Sequence, residues 1–136
     1  MHVAPVSLRD DVVLRVVHQL VEALLRAAGL RKKKDLPAAE QALGDGLGAL
    51  GLPLALVAGL DAGTLAGLVP DPARRALVAA ALIELAELRA AAGRTDEASA
   101  LHERAARLVH DLDDGLDVEA LPEPVRSAVE RARMPW

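Results

Sequence analysis

Histidines and carboxylates at helical spacing are the first candidates for chemistry in this chain. His18 and Glu22 lie one turn apart, and His102 and His110 lie two turns apart, in segments with helical periodicity. Zinc sites need at least three protein ligands, and neither pair has a third close by in sequence. We therefore predict surface histidines and no metal site.

A glycine motif at residues 46–51, Gly-Leu-Gly-Ala-Leu-Gly, matches the dinucleotide-binding fingerprint. That fingerprint works only where it follows a strand and opens a helix, so that backbone N–H groups face a phosphate. Here it follows Pro37–Leu43, which has a helical pattern. We predict a helix end weakened by glycine, and no cofactor.

An acidic segment at residues 111–115, Asp-Leu-Asp-Asp-Gly, superficially resembles a calcium-binding loop. Such a loop needs oxygen ligands at alternating positions and a glutamate six residues after the glycine. Leu112 occupies one ligand position, and Leu121 stands where the glutamate belongs. We interpret residues 112–121 as an acidic linker.

Nucleophilic catalysis has few candidate residues. The chain contains no cysteine, Ser7 and Thr95 have the positions of helix caps, and no nucleophile motif surrounds Ser99, Ser127 or Thr64. We predict no catalytic residues and a non-enzymatic protein. A catalytic or small-molecule-binding bundle is the alternative, since carboxylates distant in sequence can meet in a fold.

The strongest local charge is a basic turn of four consecutive residues, Arg31, Lys32, Lys33 and Lys34. It could contact phosphate, anionic lipid or an acidic partner, or it could simply be solvated. The net charge of −4 and the absence of interleaved aromatic residues argue against tight nucleic-acid binding.

The composition predicts the fold class. Phenylalanine and tyrosine are absent, Trp136 is the one aromatic residue, and alanine and leucine dominate the 136 residues. Alanine is the best helix former, and small side chains let helices approach closely. We predict a single all-α domain, 1–136, that forms a compact bundle of about five to six helices.

The same composition bears on location. The longest uncharged run, Gly46–Leu60, is interrupted by Pro53 and is shorter than the roughly 20 apolar residues of a membrane span. No signal peptide is apparent at the start. We predict a cytoplasmic protein without a membrane span.

Capping signals predict where the helices begin and end. Asp35 and the pair Asp71-Pro72 are start signals, while Gly29 and Gly93 are end signals. The predicted elements are helices from about Ser7 or Leu8 to Ala28, Asp35 toward Leu50, Asp61 or Ala62 to Val69, Asp71 to Ala92, Thr95 to Asp111 and Pro122 to Arg133. Residues 52–60 are predicted as an apolar connection, and residues 1–6 and 134–136 as flexible ends.

The segment Leu82–Leu108 resembles a tetratricopeptide repeat (TPR). The residues that carry the resemblance are Leu82, Leu85, Ala86, Gly93, Ala98 and Ala105. The run from Leu14 to Asp111 is also similar to a bacterial family of TPR-like proteins that has no assigned activity. The resemblance implies a helical hairpin that binds another protein.

On the helix that would line a TPR-like groove, the matching positions are Ala80, Ile83, Glu87, Ala90 and Ala91. This face is small and apolar with one charge. The expected ligand is an amphipathic helix of a protein partner, although the chain's own final helix is a second possible occupant.

The first helix carries paired apolar residues that make its apolar face wider than one neighbour covers. The residues predicted to form a self-association face are Val12, Val13, Val16, Val17 and Leu20. We therefore expect a homodimer or a higher homo-oligomer.

Overall fold

The computed structural model describes the backbone of residues 8–110 and 120–134, with side chains from Arg15 onward. The helices are α1 (Leu8–Lys32), α2 (Leu36–Ala49), α3 (Leu54–Gly59), α4 (Ala62–Leu68), α5 (Pro72–Ala91), α6 (Thr95–His110) and α7 (Glu123–Arg133). These two ranges contain no strand, so the all-α prediction is confirmed. The described ranges contain seven helices, because α3 forms where we expected an irregular connection.

Aspartates cap the starts of three helices. The carboxylates of Asp35, Asp61 and Asp71 each accept a hydrogen bond from the backbone N–H three residues later, at 3.4, 2.7 and 3.0 Å. A cap of this kind pairs one of the N–H groups that a helix leaves without an internal partner. The starts predicted from Asp35 and Asp71 are confirmed.

The end of α1 differs from the prediction. The helix continues through Gly29 to Lys32, and Lys34 takes the left-handed conformation with φ 65°. Glycine costs a helix interior about 1 kcal/mol relative to alanine. Two contacts in the extra turn oppose this cost, because Leu30 packs against the core and Arg31 pairs with α5.

Helix α5 lies at the centre of the bundle. It forms the predicted hairpin with α6 through Gly93, which has φ 81°, and it also contacts α1, α2, α3 and α7. Eleven consecutive residues, Ala76–Ala86, are buried. A helix with neighbours on all sides needs small or apolar residues around its whole circumference, and this segment has them at every position except Glu84.

Arginine side chains donate hydrogen bonds to backbone carbonyls near the C-terminal ends of the two short helices, α3 and α4. Arg75 on α5 donates to the carbonyl oxygens of Ala66 and Val69 at the end of α4, both at 3.2 Å. Arg104 on α6 donates to the carbonyl of Ala58 in α3. These guanidinium groups pair carbonyls that lack a partner within the helix. No helix in the described ranges is both long and apolar enough to cross a lipid bilayer.

Helices α1 and α2 pack very closely at Gly46. A Cβ atom added there would lie 2.4 Å from the Cβ of Ala23 and 3.1 Å from a methyl group of Leu20. The first of these distances is far below a van der Waals contact, and the Ala23 Cβ cannot move without its backbone. The absence of a side chain at residue 46 therefore sets how closely α1 and α2 pack.

We expect Gly46→Ala to destabilise the protein, although alanine is intrinsically the better helix former. The matched control is Gly48→Ala in the same helix, where an added Cβ meets no atom within 4 Å. The control should gain up to about 1 kcal/mol. Denaturant unfolding measures both, and a double variant, Gly46→Ala with Ala23→Gly, should recover most of the loss. Equal gains in both single variants would contradict the steric explanation.

Candidate functional site

Glu84 is the most unusual residue of the core. It lies in the middle of α5 and is 4% exposed. An ionised carboxylate in such a place is costly unless it is paired and hydrogen-bonded. The partners of Glu84 therefore define the part of the bundle where charge matters most.

Two arginines from other helices meet two glutamates of α5. The Nε atom of Arg31 donates to Oε2 of Glu84 at 2.8 Å, and Nη1 of Arg31 lies 3.3 Å from Oε2 of Glu87. Arg131 on α7 donates from Nη1 to Oε1 of Glu87 at 2.8 Å. We call Arg31, Glu84, Glu87 and Arg131 the arginine–glutamate cluster. It joins α1, α5 and α7.

The electrostatics of the cluster are set by burial. Burial raises the pKa of Glu84, the hydrogen bond and charge of Arg31 lower it in part, and the nearby charge of Glu87 raises it further. For Arg31, burial alone would lower the pKa, but Glu84 and Glu87 outweigh it and the pKa is raised. Ionised Glu84 is therefore more costly in the folded protein than in water, even with its arginine.

A small cleft opens beside the cluster, between α1 and α7. Its volume is about 160 Å³. Its lining residues are Leu24, Leu25 and Ala28 from α1, Ala80 and Glu84 from α5, and Glu123, Pro124, Ser127, Ala128 and Arg131 from α7. We call it the α1–α7 cleft. It combines apolar walls with polar groups of the cluster.

One side-chain donor of the arginine–glutamate cluster is buried without a partner. The Nε atom of Arg131 is buried and makes no hydrogen bond among the described residues. The backbone carbonyl of Arg131 lies 3.0 Å from Nε2 of His102, a buried side chain of α6. The predicted surface position of His102 is therefore wrong, because α7 covers it.

A larger groove lies between α2 and α5. Its volume is about 610 Å³, and the charged residues in its lining are Glu40, Asp45, Arg89 and Arg94. Arg89 already donates to Glu40 across this groove. The groove is wide and open, whereas the α1–α7 cleft is small and reaches a buried charged group.

The predicted TPR-like binding face does not exist as an open surface. Ala80 and Ile83 are buried within the bundle, at 0% and 1% exposure. Glu87 forms ion pairs with Arg31 and Arg131. Ala90 is half-buried, and Ala91 is exposed near the end of α5. The predicted face is covered because α5 packs against five other helices.

The four residues of the basic turn lie in different environments in the folded protein. Arg31 belongs to α1 and points its guanidinium at Glu84 and Glu87, whereas Lys32, Lys33 and Lys34 are exposed. Four adjacent charges in sequence thus become three surface lysines and one structural arginine. The side chain of Arg31 is about one-fifth exposed, so it is not part of a solvated turn.

The predicted self-association face is partly outside the described side chains, since those of Val12 and Val13 are not included. Val16 and Val17 are half-buried, but Leu20 is fully buried against α2, so its assignment to an outer face is wrong. Leu25 has the opposite position, with 57% of its surface exposed.

The remaining candidate motifs show no convergent chemistry. His18 and Glu22 form an exposed pair at 3.0 Å. No three His, Asp or Glu side chains within the described ranges lie where they could hold a metal ion. Gly46 and Gly48 lie in the last turns of α2, and Gly51 follows with φ 76°. Residues 112–119 of the acidic linker lie outside the described residues.

Glu84 and its partners were not identified from the sequence. The available signal was a single acid within the apolar segment Ala76–Ala86, which indicates a buried charge. Its partner Arg31 is 53 residues away along the chain, and Arg131 is 44 residues away from its own partner, Glu87. No local spacing rule relates positions so far apart.

Comparison with known proteins adds no relative. No family model matches this sequence, and neither the curated proteins nor the solved structures contain a match. The resemblance to TPR-like proteins therefore stays a prediction based on spacing.

We expect Arg31→Met to destabilise the protein by about 3 kcal/mol, because it leaves Glu84 buried without its hydrogen-bonded cation. A double variant, Arg31→Met with Glu84→Met, should lie within about 1 kcal/mol of the original protein, since no buried charge is then left at this position. Urea unfolding at pH 7 of the unsubstituted protein, Arg31→Met, Glu84→Met and the double variant gives the coupling free energy between Arg31 and Glu84. Simple additivity of the two single losses would contradict a direct interaction between Arg31 and Glu84.

The stability should also depend on pH through Glu84. Because its pKa is raised in the folded state, the contribution of Glu84 is fully present below the ordinary glutamate value of 4.5 and is lost as the pH rises through the folded-state pKa. We therefore expect the stability of the original protein to fall relative to Glu84→Gln as the pH rises. Denaturant titrations of both proteins at a series of pH values from below 4.5 upward test the sign of this pH dependence. A relative gain at higher pH would indicate a lowered pKa instead.

Proposed function

We propose that this protein is a small, non-enzymatic helical interaction module that associates with a second copy of itself through α1. The proposal rests chiefly on one observation, the exposure of the large apolar side chain of Leu25 on α1, where the other described apolar side chains are buried or half-buried. A large apolar residue on the surface matters when it continues an apolar face, and the neighbouring positions of α1 provide one.

Leu25 continues a line of partly covered residues. Val21 and Val17 lie four and eight residues earlier on the same side of α1 and are half-buried against the core. Leu24 and Ala28 lie beside Leu25 in the wall of the α1–α7 cleft. We call Val17, Val21 and Leu25 the α1 stripe.

The different lengths of α1 and α2 also support self-association through α1. Helix α1 has 25 residues, whereas its partner α2 has 14. Gly46 lies against Leu20 and Ala23, and α2 ends three residues later, so about two turns at the start of α1 extend past α2. A helix of a second copy lying along the α1 stripe would cover both regions.

The expected partner element is an amphipathic helix, and α1 of a second copy is such an element. Two copies related by a two-fold axis place the same patch on both sides, which is the commonest arrangement of homo-oligomers. The basic turn is not required in this proposal, because Arg31 is held inside the subunit by Glu84 and Glu87.

We expect Leu25→Glu to weaken self-association about tenfold or more, since burying a leucine contributes about 1.5–3 kcal/mol and each interface contains two copies. The matched control is Leu68→Glu on α4, where a leucine is similarly exposed at 53% but lies away from the α1 stripe. Sedimentation velocity over a micromolar concentration series measures the shift, with helix content checked by circular dichroism. A 14.2 kDa species alone for the original protein, or equal effects of both variants, would contradict the proposal.

A further inference from the structure

The exposed side of α1 is a single line of residues along the helix. His18, Glu22, Leu25, Gly29 and Lys32 are all exposed, and they are spaced alternately four and three residues apart. This spacing keeps the five positions on one side of a helix, and it is the spacing of the seam along which two helices pack in a coiled coil. We call these five residues the α1 outer line.

The charges of the α1 outer line differ on the two sides of Leu25. Glu22 lies three residues before Leu25 and pairs with the equally exposed His18 at 3.0 Å. Lys32 lies seven residues after Leu25 and has no ion-pair partner among the residues that the structure describes. The line therefore has a carboxylate before its apolar centre and an ammonium group after it.

A second copy can lie along this line in two orientations. In a parallel pair each residue faces its own counterpart, so that Lys32 faces Lys32 and Glu22 faces Glu22. Like charges that face each other across an interface are unfavourable. In an antiparallel pair centred on Leu25, two-fold symmetry places Lys32 opposite His18 of the second copy and close to Glu22 of that copy. The charges are complementary only in the antiparallel pair.

The rise of an α-helix gives the heights of these residues in the antiparallel pair. Lys32 lies about 10 Å from Leu25 along the helix axis, and Glu22 of the second copy lies about 4.5 Å from Leu25 in the same direction. The difference is about 6 Å. The flexible four-carbon stem of lysine spans this offset, and symmetry produces the contact twice.

Gly29 fits the same arrangement. A Cβ atom added at Gly29 would meet no atom within 4 Å, so no contact within the subunit requires a glycine at this position of α1. In the antiparallel pair Gly29 lies opposite Val21 of the second copy, because the two residues are four positions from Leu25 on either side. The missing side chain lets the two helix axes approach closely at this point.

We propose that two copies pair antiparallel through α1, centred on Leu25, with Lys32 of each copy forming an ion pair with Glu22 of the other. This inference rests on the self-association proposed above, and it adds the orientation and the charged contacts. The α1 stripe supplies the apolar contact, whereas Lys32 and Glu22 select between the two orientations.

Reversal of single charges tests the ion pairs. We expect Lys32→Glu and Glu22→Lys each to weaken the dimer about three- to tenfold at low salt, since each replaces two attractions by two repulsions. The double variant should restore the affinity to within about twofold of the unsubstituted protein. In a parallel pair none of these changes would matter, because like charges would still face each other.

The matched control for charge reversal is Lys33→Glu. Lys33 is also exposed, but it follows the end of α1 and lies off the α1 outer line, so this variant should leave the affinity unchanged. Sedimentation velocity over a micromolar concentration series measures all four variants, and circular dichroism checks that their helix content is the same.

Cross-linking tests the orientation independently, because the chain contains no cysteine. Lys32→Cys and His18→Cys are treated with a short bifunctional maleimide, each alone and as an equal mixture. In the antiparallel pair these two positions face each other, whereas each lies about 21 Å along the axis from its own counterpart. We expect cross-linked dimers in the mixture only.

Three results in a protein that sediments as a dimer would overturn the antiparallel arrangement: cross-linking of either single variant with itself, no cross-linking in any sample, or charge reversals without effect. Self-association as such would stand in each case. A 14.2 kDa species alone would overturn self-association as well. Sedimentation of the unsubstituted protein therefore distinguishes failure of this inference from failure of the proposed function.

Discussion

The pairing of Glu84 with Arg31 is the interaction on which the arrangement of this bundle depends. Glu84 lies within eleven consecutive buried residues of α5, where an unpaired charge would be very costly. To meet it, α1 must continue through Gly29 for one more turn, and α1 must lie beside α5 at one particular register. Apolar alanine and leucine surfaces slide past one another easily, whereas a hydrogen-bonded ion pair has one geometry. The cluster thus specifies the position of α1 relative to α5, even though it adds little net stability.

The rest of the core is built from small side chains. Twelve residues of α5 are buried, and most of them are alanine or leucine. Without aromatic rings, close helix spacing must supply the dispersion contacts, and Gly46 against Ala23 shows how close that spacing is. Such a core is sensitive to single methyl groups, since adjacent backbones, rather than flexible side chains, form the contact.

Much of the fold can be predicted from local signals. The caps at Asp35 and Asp71 and the turn at Gly93 follow from spacing within one helix or turn. The errors have a different origin. Gly29 was expected to end α1, but an ion pair formed with a residue more than fifty positions away favours the longer helix. The open groove on α5 was expected because the TPR comparison considers one hairpin, whereas here α1 and α7 cover the same helix. The α1–α7 cleft was not anticipated, since its lining residues come from helices distant in sequence.

The position of α7 in the chain has a consequence for biosynthesis. Helix α5 ends at Ala91, but one of the helices that cover it ends only at Arg133. At a translation rate of about 5–20 residues per second, the nascent chain carries α5 without this cover for a period on the order of seconds. During that period Glu87 has Arg31 but not Arg131, and the side of α5 that α7 later contacts lacks this packing. A ribosome-associated chaperone would meet α5 in this state, and a pause in translation after α6 would prolong it.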